Sequence, residues 1–429
     1  MTDLAPPADS VAPTPPDPVP GADGVDEAAA TERGRIRRLN VLIAGLIVVR
    51  LLTFTYLVAS HQDTVDGGIA GDVRRYDQMA TAEGVPYRDF QVEYPPVTFA
   101  IIKLTHGPSL GVSITLVAIS QLLCDILISF ILRWVWSVRT QAAYLVLGLP
   151  LVAFPFVYAR IDLATVLLVV AGLALVRRGK SASGGAMLAI AVLAKLWPFA
   201  VAPVLLIERR WRGVVALVVT GTLCLAGWLA LAGTSGIQQV FSFRDATGWQ
   251  VESLPGILWH LRDPSRIKFE SGAFRTGIMP VWARPALNLV SLVFIGVSWW
   301  WAERRRRQGA SDDAWYAVAP MACVLSLLIF APILSPQYIV WMLPFAAIIA
   351  ARGDRLIAGL TLAVTTVTTI SYITVPSAAE GALYGTLPVL TRNLLLVALF
   401  IVTMQELSGW RRPGRPAPWA APVRSSSSA

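Results

Sequence analysis

Long apolar runs alternate with short basic turns along most of the chain. A run of about 20 apolar residues is long enough to cross a bilayer as a helix. The run 183–207 is too long for one straight helix and contains Pro198, so it is interpreted as two helices or half-helices. The full set of runs is 39–59, 110–132, 141–158, 162–176, 183–207, 213–233, 281–301, 314–332, 334–350, 355–375 and 388–406. This pattern predicts an all-α, polytopic transmembrane helical bundle of about 11–12 membrane segments.

The two ends of the chain differ from this apolar body. Residues 1–32 are rich in Pro, Ala and Asp and nearly lack large apolar side chains, a composition that cannot bury enough surface to fold. The predicted organisation is a disordered cytoplasmic tail over 1–35, a membrane domain over 36–407 and a second disordered cytoplasmic tail over 408–429.

Basic clusters indicate the orientation, because Lys and Arg accumulate on the cytoplasmic side of membrane proteins. Arg33, Arg35, Arg37 and Arg38 precede the first run, and every turn predicted to be internal is also basic. Those turns are 177–180, 208–212, 303–307 and 352–355. The pattern predicts a multi-pass plasma-membrane protein with both termini cytoplasmic. The polar loops 71–96 and roughly 234–280 are then extracytoplasmic.

Composition supports the membrane class and argues against other partners. Mean hydropathy is +0.60, and 15% of the residues are charged, against about 25% in soluble domains. The formal charge of +9 lies mostly in the membrane-flanking clusters, so it does not indicate a nucleic-acid partner. All three cysteines fall in apolar runs, and no Cys/His cluster has metal-ligand spacing.

The polar segment 71–96, GDVRRYDQMATAEGVPYRDFQVEYPP, is dense in ionisable side chains. It also contains three tyrosines, among them Tyr76. Its carboxylates are Asp72, Asp77, Glu83, Asp89 and Glu93, and its arginines are Arg74, Arg75 and Arg88. Carboxylates and arginines this dense beside a membrane indicate a site for a polar, charged substrate.

Other candidate residues fall on the same predicted face. Lys195 lies inside an apolar run, where an ionisable residue marks function unless its long side chain extends to the interface. The remaining candidates are Arg160 at a hairpin tip, Arg244 and Glu252 in the second long loop, and Gln337 and Tyr338 in the segment LSPQY.

An ordered set of short motifs resembles the polytopic GT-C glycosyltransferases, and most closely glycosyltransferase family 87. The set begins with Asp72 and Tyr76 and continues with G-x-P-Y ending at Tyr87 and E-Y-P-P at 93–96. K-x-x-P from Lys195, W-Q-x-E-S at 249–253 and S-P-Q-Y at 335–338 follow in order. The tip sequence at 158–162, Y-A-R-I-D, departs from the G-Q/N-x-N pattern of many relatives.

The resemblance implies an inverting transferase that takes a sugar from a polyprenyl phosphate. The usual donor in the family is polyprenyl-phosphate mannose, and the acceptor is an extracytoplasmic glycolipid or glycan. The lipid-linked sugar is then a co-substrate and no cofactor is expected, while the metal requirement stays open. The resemblance also suggests that the short stretch 97–106 is a juxtamembrane helix.

The chemistry of such a transfer needs a base for the acceptor hydroxyl. Asp72 is the proposed base, and the structural alternative is that it caps a helix over 73–83. Asp89 and Glu93 are the other carboxylates considered, as bases or as sugar contacts, whereas Asp77 is expected on a solvated face. Lys195, Arg160 and Arg244 are candidates for the donor phosphate, with Gln337 and Tyr338 as hydrogen-bond donors.

Three other functions are compatible with the same sequence. The first is the same fold with polyprenyl-phosphate arabinofuranose or glucose as the donor. The second is a transporter or lipid flippase, although no internal repeat of the kind common in transporters is found. The third is a non-catalytic assembly subunit.

Overall fold

The computed structural model describes residues 22–60, 69–242, 247–263, 267–270, 272–380 and 382–410. Its helices are α1 (Ala22–Ala59), α2 (Gly71–Thr81), α3 (Pro96–Leu104), α4 (Leu110–Val135), α5 (Val138–Leu147), α6 (Leu149–Ala153), α7 (Asp162–Arg177), α8 (Ser181–Ala194), α9 (Val204–Ile207), α10 (Trp211–Ala232), α11 (Ser235–Ser242), α12 (Leu254–Arg262), α13 (Ala283–Arg307), α14 (Ala319–Ile329), α15 (Leu343–Ala351), α16 (Arg355–Ala379) and α17 (Leu383–Ser408). Shorter 3-10 or π turns are Pro155–Ala159, Trp197–Ala200, Ala314–Val318 and Pro336–Met342.

Within the described residues, six helices are long and apolar enough to cross a membrane. They are Thr31–Ala59 of α1, α4, α10, α13, Arg355–Ala378 of α16, and α17. The other predicted spans form as shorter or broken helices, often where proline removes a backbone donor. The run 183–207 divides after Ala194 into α8 and a descending stretch from Trp197 to Ile207, as the sequence predicted. The all-α polytopic fold is therefore confirmed.

The basic turns meet at one end of the bundle. Arg177, at the end of α7, forms an ion pair with Asp312 at 2.8 Å and donates to the carbonyl oxygen of Val135, at the end of α4. Arg133 donates to Asn40 of α1 at 2.8 Å. Helix α7 runs from Asp162 to Arg177 and rises about 1.5 Å per residue. Residues near Asp162 therefore lie at the end of the bundle opposite to the basic turns.

Small residues allow two neighbouring helices to approach closely. A Cβ atom on Gly185 of α8 would lie 2.0 Å from the carbonyl oxygen of Gly213, in α10. Membrane helices use such contacts because lipid supplies no hydrophobic force to join them. This crossing holds α8 in place and therefore also holds Lys195, which follows its last residue.

A buried polar network lies inside the bundle, and the sequence reasoning did not identify it. Arg50 of α1 and Asp125 of α4 form an ion pair at 2.8 Å, with side chains only 1% and 3% exposed. Tyr144 and Tyr158 donate their hydroxyl groups to the same carboxylate at 2.7 and 2.9 Å. Because the charges are paired and hydrogen-bonded, the network joins four segments without leaving an unpaired charge.

Two sequence predictions need correction. Helix α1 begins at Ala22, inside the stretch 1–35 that was predicted to be disordered. The segment DEAAATER supplies strong helix formers there. The second long loop also contains a three-stranded antiparallel sheet of order β1-β3-β2, formed by Trp249–Gln250, Ala273–Thr276 and Ile267–Glu270 respectively. Short strands inside an otherwise helical chain gave no clear period-2 signal.

Candidate functional site

Helix α2 positions Asp72 at the edge of the bundle. Val73, Tyr76 and Ala80 are buried, and their spacing places one apolar stripe against the helical body. Asp72 lies in the first turn, where a negative charge is favoured by the helix dipole. The residue before the helix is Ala70, and no side chain caps the helix. The alternative reading of Asp72 as the N-cap is therefore wrong.

Two arginines contact the Asp72 carboxylate from different directions. Oδ2 lies 2.7 Å from Nε of Arg160, although the Nε–H bond is not aligned along that line. Oδ1 accepts a hydrogen bond from Arg75 at 3.2 Å. Arg160 also donates to the carbonyl oxygen of Ile69 at 2.7 Å. The buried guanidinium of Arg160 thus holds the start of α2. Burial alone would lower the pKa of Arg160, but the negative charge of Asp72 opposes this effect and the pKa is raised.

Arg75 connects Asp72 to the end of the polar loop. Its second nitrogen pairs with Glu93. The ring of Tyr76 meets that of Tyr94 edge-on, with centroids 5.8 Å apart. Burial, and then the negative charge of Asp72, raise the pKa of Tyr76. Both tyrosines therefore stay neutral hydrogen-bonding groups beside the carboxylate.

The loop between α2 and α3 is held in shape by its own motif residues. Gly84 has a φ of +96°, and a Cβ there would lie 2.7 Å from Cβ of Asp89. Tyr87 donates to the carbonyl oxygen of Tyr94 at 2.7 Å. Pro95 precedes the first residue of α3, which confirms a helix in the predicted juxtamembrane stretch. G-x-P-Y and E-Y-P-P therefore shape the loop that carries Glu93.

Lys195 lies in the break after α8 and is half-buried, with a charged partner. Its ammonium pairs with Asp162, which is 3% exposed at the side chain, and Trp341 donates to the same carboxylate oxygen at 2.8 Å. The ammonium also lies 4.8 Å from the ring centre of Tyr338 and 5.3 Å from that of Trp341. Charge pairing and cation–π contacts together stabilise this cation in a largely dry setting.

A second buried group surrounds Glu252, which follows strand β1. Ser253 caps α12 by accepting from the backbone nitrogen of Gly256 at 3.1 Å, which fixes the backbone beside Glu252. Gln250 donates to Glu252 Oε2 at 2.9 Å. Arg392 of α17 donates to the main-chain oxygen of Glu252. Burial raises the pKa of Glu252, and the charges of Arg392 and Arg160 oppose that shift.

The structure thus brings together most of the predicted site residues. Arg160 lies within electrostatic range of Glu252, and Tyr338 lies within electrostatic range of Lys195, Asp162 and Asp72. The site contains as many cations as carboxylates. The cations are Arg75, Arg160, Lys195 and Arg392, and the carboxylates are those of Asp72, Glu93, Asp162 and Glu252. We refer to these eight residues, with Tyr76 and Tyr338, as the charged cluster.

Some predicted residues lie elsewhere. Asp89 is an exposed partner of Arg88 at 3.0 Å and accepts from the backbone of Val85. The hydrogen bond from Arg88 lowers the pKa of Asp89. Gln337 is buried next to Tyr338, in the Pro336–Met342 turn. Arg244 lies outside the described residues.

Asp77 is not on a solvated face as predicted. Its Oδ1 accepts from Ser113 at 2.8 Å and lies 2.9 Å from Nδ1 of His106. These contacts hold α2 against the start of α4. Sequence pattern could not show this, because the partners lie beyond another helix.

Arg392 is the main site residue that sequence reasoning missed. It lies in the apolar run 388–406 and is completely buried. An ionisable residue inside a membrane helix is itself a signal of function, as it was for Lys195. Among the residues that the structure describes, no group of three or more His, Cys, Asp or Glu side chains is arranged to hold a metal ion.

A groove of about 340 Å³ borders the charged cluster. Arg75 and Glu93 form one side of it, and Gln78, Gln91 and Phe90 contribute amides and an aromatic ring. Amide and charged groups next to an aromatic face suit a ligand with several hydroxyl groups and an apolar surface. The groove therefore borders Arg75, the partner of Oδ1 of Asp72.

A helical membrane bundle with a charged cluster at one end defines a class of membrane proteins that act on polar substrates. The model of glycosyltransferase family 87 matches residues 92–332, which is more than half of the chain. The chain belongs to glycosyltransferase family 87, and it is a membrane glycosyltransferase. The match begins after Asp72, so the role of this carboxylate rests on geometry.

Among solved structures, the chain resembles apo ArnT from Cupriavidus metallidurans with a TM-score of 0.39 and 13% identity. The likeness covers 89% of this chain and 78% of ArnT. No curated protein matches the chain.

Proposed function

We propose that the protein transfers a sugar from a polyprenyl-phosphate donor to a glycolipid or glycan acceptor with inversion, with Asp72 as the general base. The observation that carries the proposal is the position of Asp72 between Arg160 and Arg75. One carboxylate is thereby fixed beside a buried cation at the edge of a membrane bundle.

The residues match what this reaction demands. A phosphate leaves as a stable anion, so no acid is needed to protonate it, in contrast to the leaving alkoxide of a glycosidase. The acceptor hydroxyl does need a base on the opposite face of the sugar. Cations placed where charge develops on the phosphate lower the barrier further. Arg160 and Lys195 are the proposed phosphate contacts.

Arg160 has two competing anions in this mechanism. In the structure it pairs with Asp72. A bound donor phosphate attracts the same guanidinium and draws it from the carboxylate. Donor binding would therefore release Oδ2 of Asp72 from its contact with Arg160.

The groove beside Arg75 and Glu93 is the proposed acceptor site. It is lined by Arg75, which pairs with Oδ1 of Asp72, whereas Arg160 contacts Oδ2. Inversion requires the acceptor and the leaving group to approach the sugar from opposite faces. The basic clusters at the other end of the bundle support a cytoplasmic position for that end and an extracytoplasmic position for the site.

Mannose is the proposed donor sugar, because it is usual in the family that the sequence resembles. Arabinofuranose and glucose are the alternatives. The test is transfer by the purified full-length protein in nanodiscs, supplied in turn with polyprenyl-phosphate mannose, glucose and arabinofuranose and with extracted envelope glycolipids. Glycan product without any ion gradient supports the enzyme. Movement of lipid between leaflets without any glycan product would support the flippase reading instead.

A further inference from the structure

Three neighbouring buried side chains have polar atoms with no hydrogen-bond partner. They are Nε and Nη1 of Arg392, Oε1 of Glu252 and Oε1 of Gln250. The three residues are 0%, 8% and 2% exposed. Leaving a buried polar group unsatisfied costs about 1–3 kcal/mol, and more for a charged group. Such a group in a folded protein therefore calls for a partner.

The neighbouring contacts show that these atoms belong to one place. Gln250 donates to the other carboxylate oxygen of Glu252 at 2.9 Å. Arg392 binds the main-chain oxygen of Glu252. Its Nη1 lies 3.9 Å from Glu252 Oε1, which is too long for a direct hydrogen bond. The arginine and the carboxylate therefore face each other without satisfying each other.

The kinds of atom indicate the chemistry of the missing partner. Arg392 offers only donors, while the free oxygens of Glu252 and Gln250 only accept. A phosphate diester has no donor, so it would satisfy the arginine and leave both oxygens unpaired. A hydroxyl group donates and accepts at once. Neighbouring hydroxyls of a sugar ring would satisfy both sides.

The position of this group relates it to the donor rather than the acceptor. Glu252 lies within electrostatic range of Arg160, which contacts Oδ2 of Asp72. The proposed acceptor groove is instead lined by Arg75 and Glu93. The two polar regions are therefore linked to Asp72 through different arginines, Arg160 and Arg75.

We infer that Arg392, Glu252 and Gln250 form a subsite that binds hydroxyl groups of the donor sugar. This inference rests on the proposed function, since it needs a lipid-linked sugar. The subsite selects a glycosylated lipid phosphate and positions its sugar ring between the phosphate contacts and Asp72. Arg392 and Gln250 thereby join Glu252 as determinants of donor recognition.

The experiment measures binding to the full-length protein in nanodiscs. The probes are the mannosyl, glucosyl and arabinofuranosyl diesters of one short polyprenyl phosphate, and its methyl diester, which has the same charge and no sugar. Wild-type protein is expected to bind at least one sugar diester about tenfold or more tighter than the methyl diester, the contribution of one hydrogen bond to a charged group. Arg392→Gln and Glu252→Gln are expected to abolish this preference and to leave methyl-diester binding unchanged.

Asn393→Ala is the matched control. Asn393 donates to the same main-chain oxygen of Glu252 at 3.1 Å, so its loss disturbs the local backbone without removing any unpaired atom of the subsite. This variant is expected to keep the sugar preference. A purely structural role for Arg392 would affect both variants alike.

Three results would overturn the inference. If Arg392→Gln and Glu252→Gln keep the wild-type preference, the unpaired atoms bind water and the subsite does not exist. If wild-type protein binds all four diesters equally, the subsite is also excluded, while recognition of a lipid phosphate stands. If wild-type protein binds none of them, the proposed function is overturned together with the subsite.

Discussion

Nε of Arg160 lies 2.7 Å from Oδ2 of Asp72, and this contact joins α2 to the segment just before α7. The pair places the proposed base next to the proposed phosphate contact.

Arg160→Gln is expected to lower kcat by about 10²–10³-fold, the usual effect of removing one group that stabilises developing charge. Arg160→Lys keeps the charge but loses the fixed guanidinium geometry, so an intermediate value is expected. Steady-state transfer kinetics of the purified variants provide the measurement. Arg74→Gln is the control, because Arg74 lies on the exposed side of α2, the helix that carries Asp72. Wild-type kinetics in Arg160→Gln would exclude a role for this arginine.

The Lys195–Asp162 pair gives a prediction that separates stability from catalysis. Lys195→Met leaves the Asp162 carboxylate buried without its charged partner, and losing one member of a buried pair costs about 3–5 kcal/mol. The double variant Lys195→Met with Asp162→Leu is expected to recover thermal stability in detergent. It is not expected to recover transfer, because the cation for the phosphate is missing. Recovered activity in the double variant would show that Lys195 is only structural.

The polar loop depends on Gly84. Gly84→Ala is expected to destabilise the loop by about 1–3 kcal/mol, because a non-glycine residue is strained at positive φ and the new Cβ meets Asp89. Protease cleavage between residues 82 and 95 should become faster, and transfer should fall with it. Gly45→Ala is the control, since a Cβ there meets nothing within 4 Å. Unchanged cleavage and transfer in Gly84→Ala would contradict this account of the loop.

The buried Glu252 predicts a pH dependence of stability. Burial raises the pKa of its carboxyl above the ordinary value of 4.5, so the folded protein holds this proton at pH values where the unfolded chain has released it. The free energy of unfolding therefore falls as the pH rises from the ordinary value to the raised one. Glu252→Gln lacks this titration. The melting temperature of wild-type protein, measured relative to the variant, should decrease as the pH rises above the ordinary pKa of 4.5. A constant difference would show that Glu252 is not buried as described.

The sequence was sufficient to predict most residues of the candidate site, but not which of them contact each other. Ionisable residues in the polar loops, at a hairpin tip or inside an apolar run were identifiable from the sequence. Asp72 and Glu252, Arg160, and Lys195 were selected in these ways, and the structure brings them together. The pattern carried no distances, so it could not show that Asp77 faces His106.

Residues inside the apolar runs were harder to interpret. Arg50, Asp125 and Arg392 are ionisable residues in membrane helices, and each is buried against a partner from another segment. Their partners are distant in sequence, so only the packing of the helices reveals them. The small sheet was missed for a similar reason, since strands of two to four residues carry almost no periodic signal.

The most direct test of the central claim is the Asp72→Asn variant, which keeps the shape of the side chain and removes its ability to accept a proton. Transfer from the lipid-linked donor and binding of that donor are measured on the same purified protein. The predicted result is a transfer rate at least about 10³-fold lower, within the range of general-base catalysis, with donor affinity within about threefold of wild type. Near-normal turnover in Asp72→Asn would contradict the assignment of Asp72 as the base.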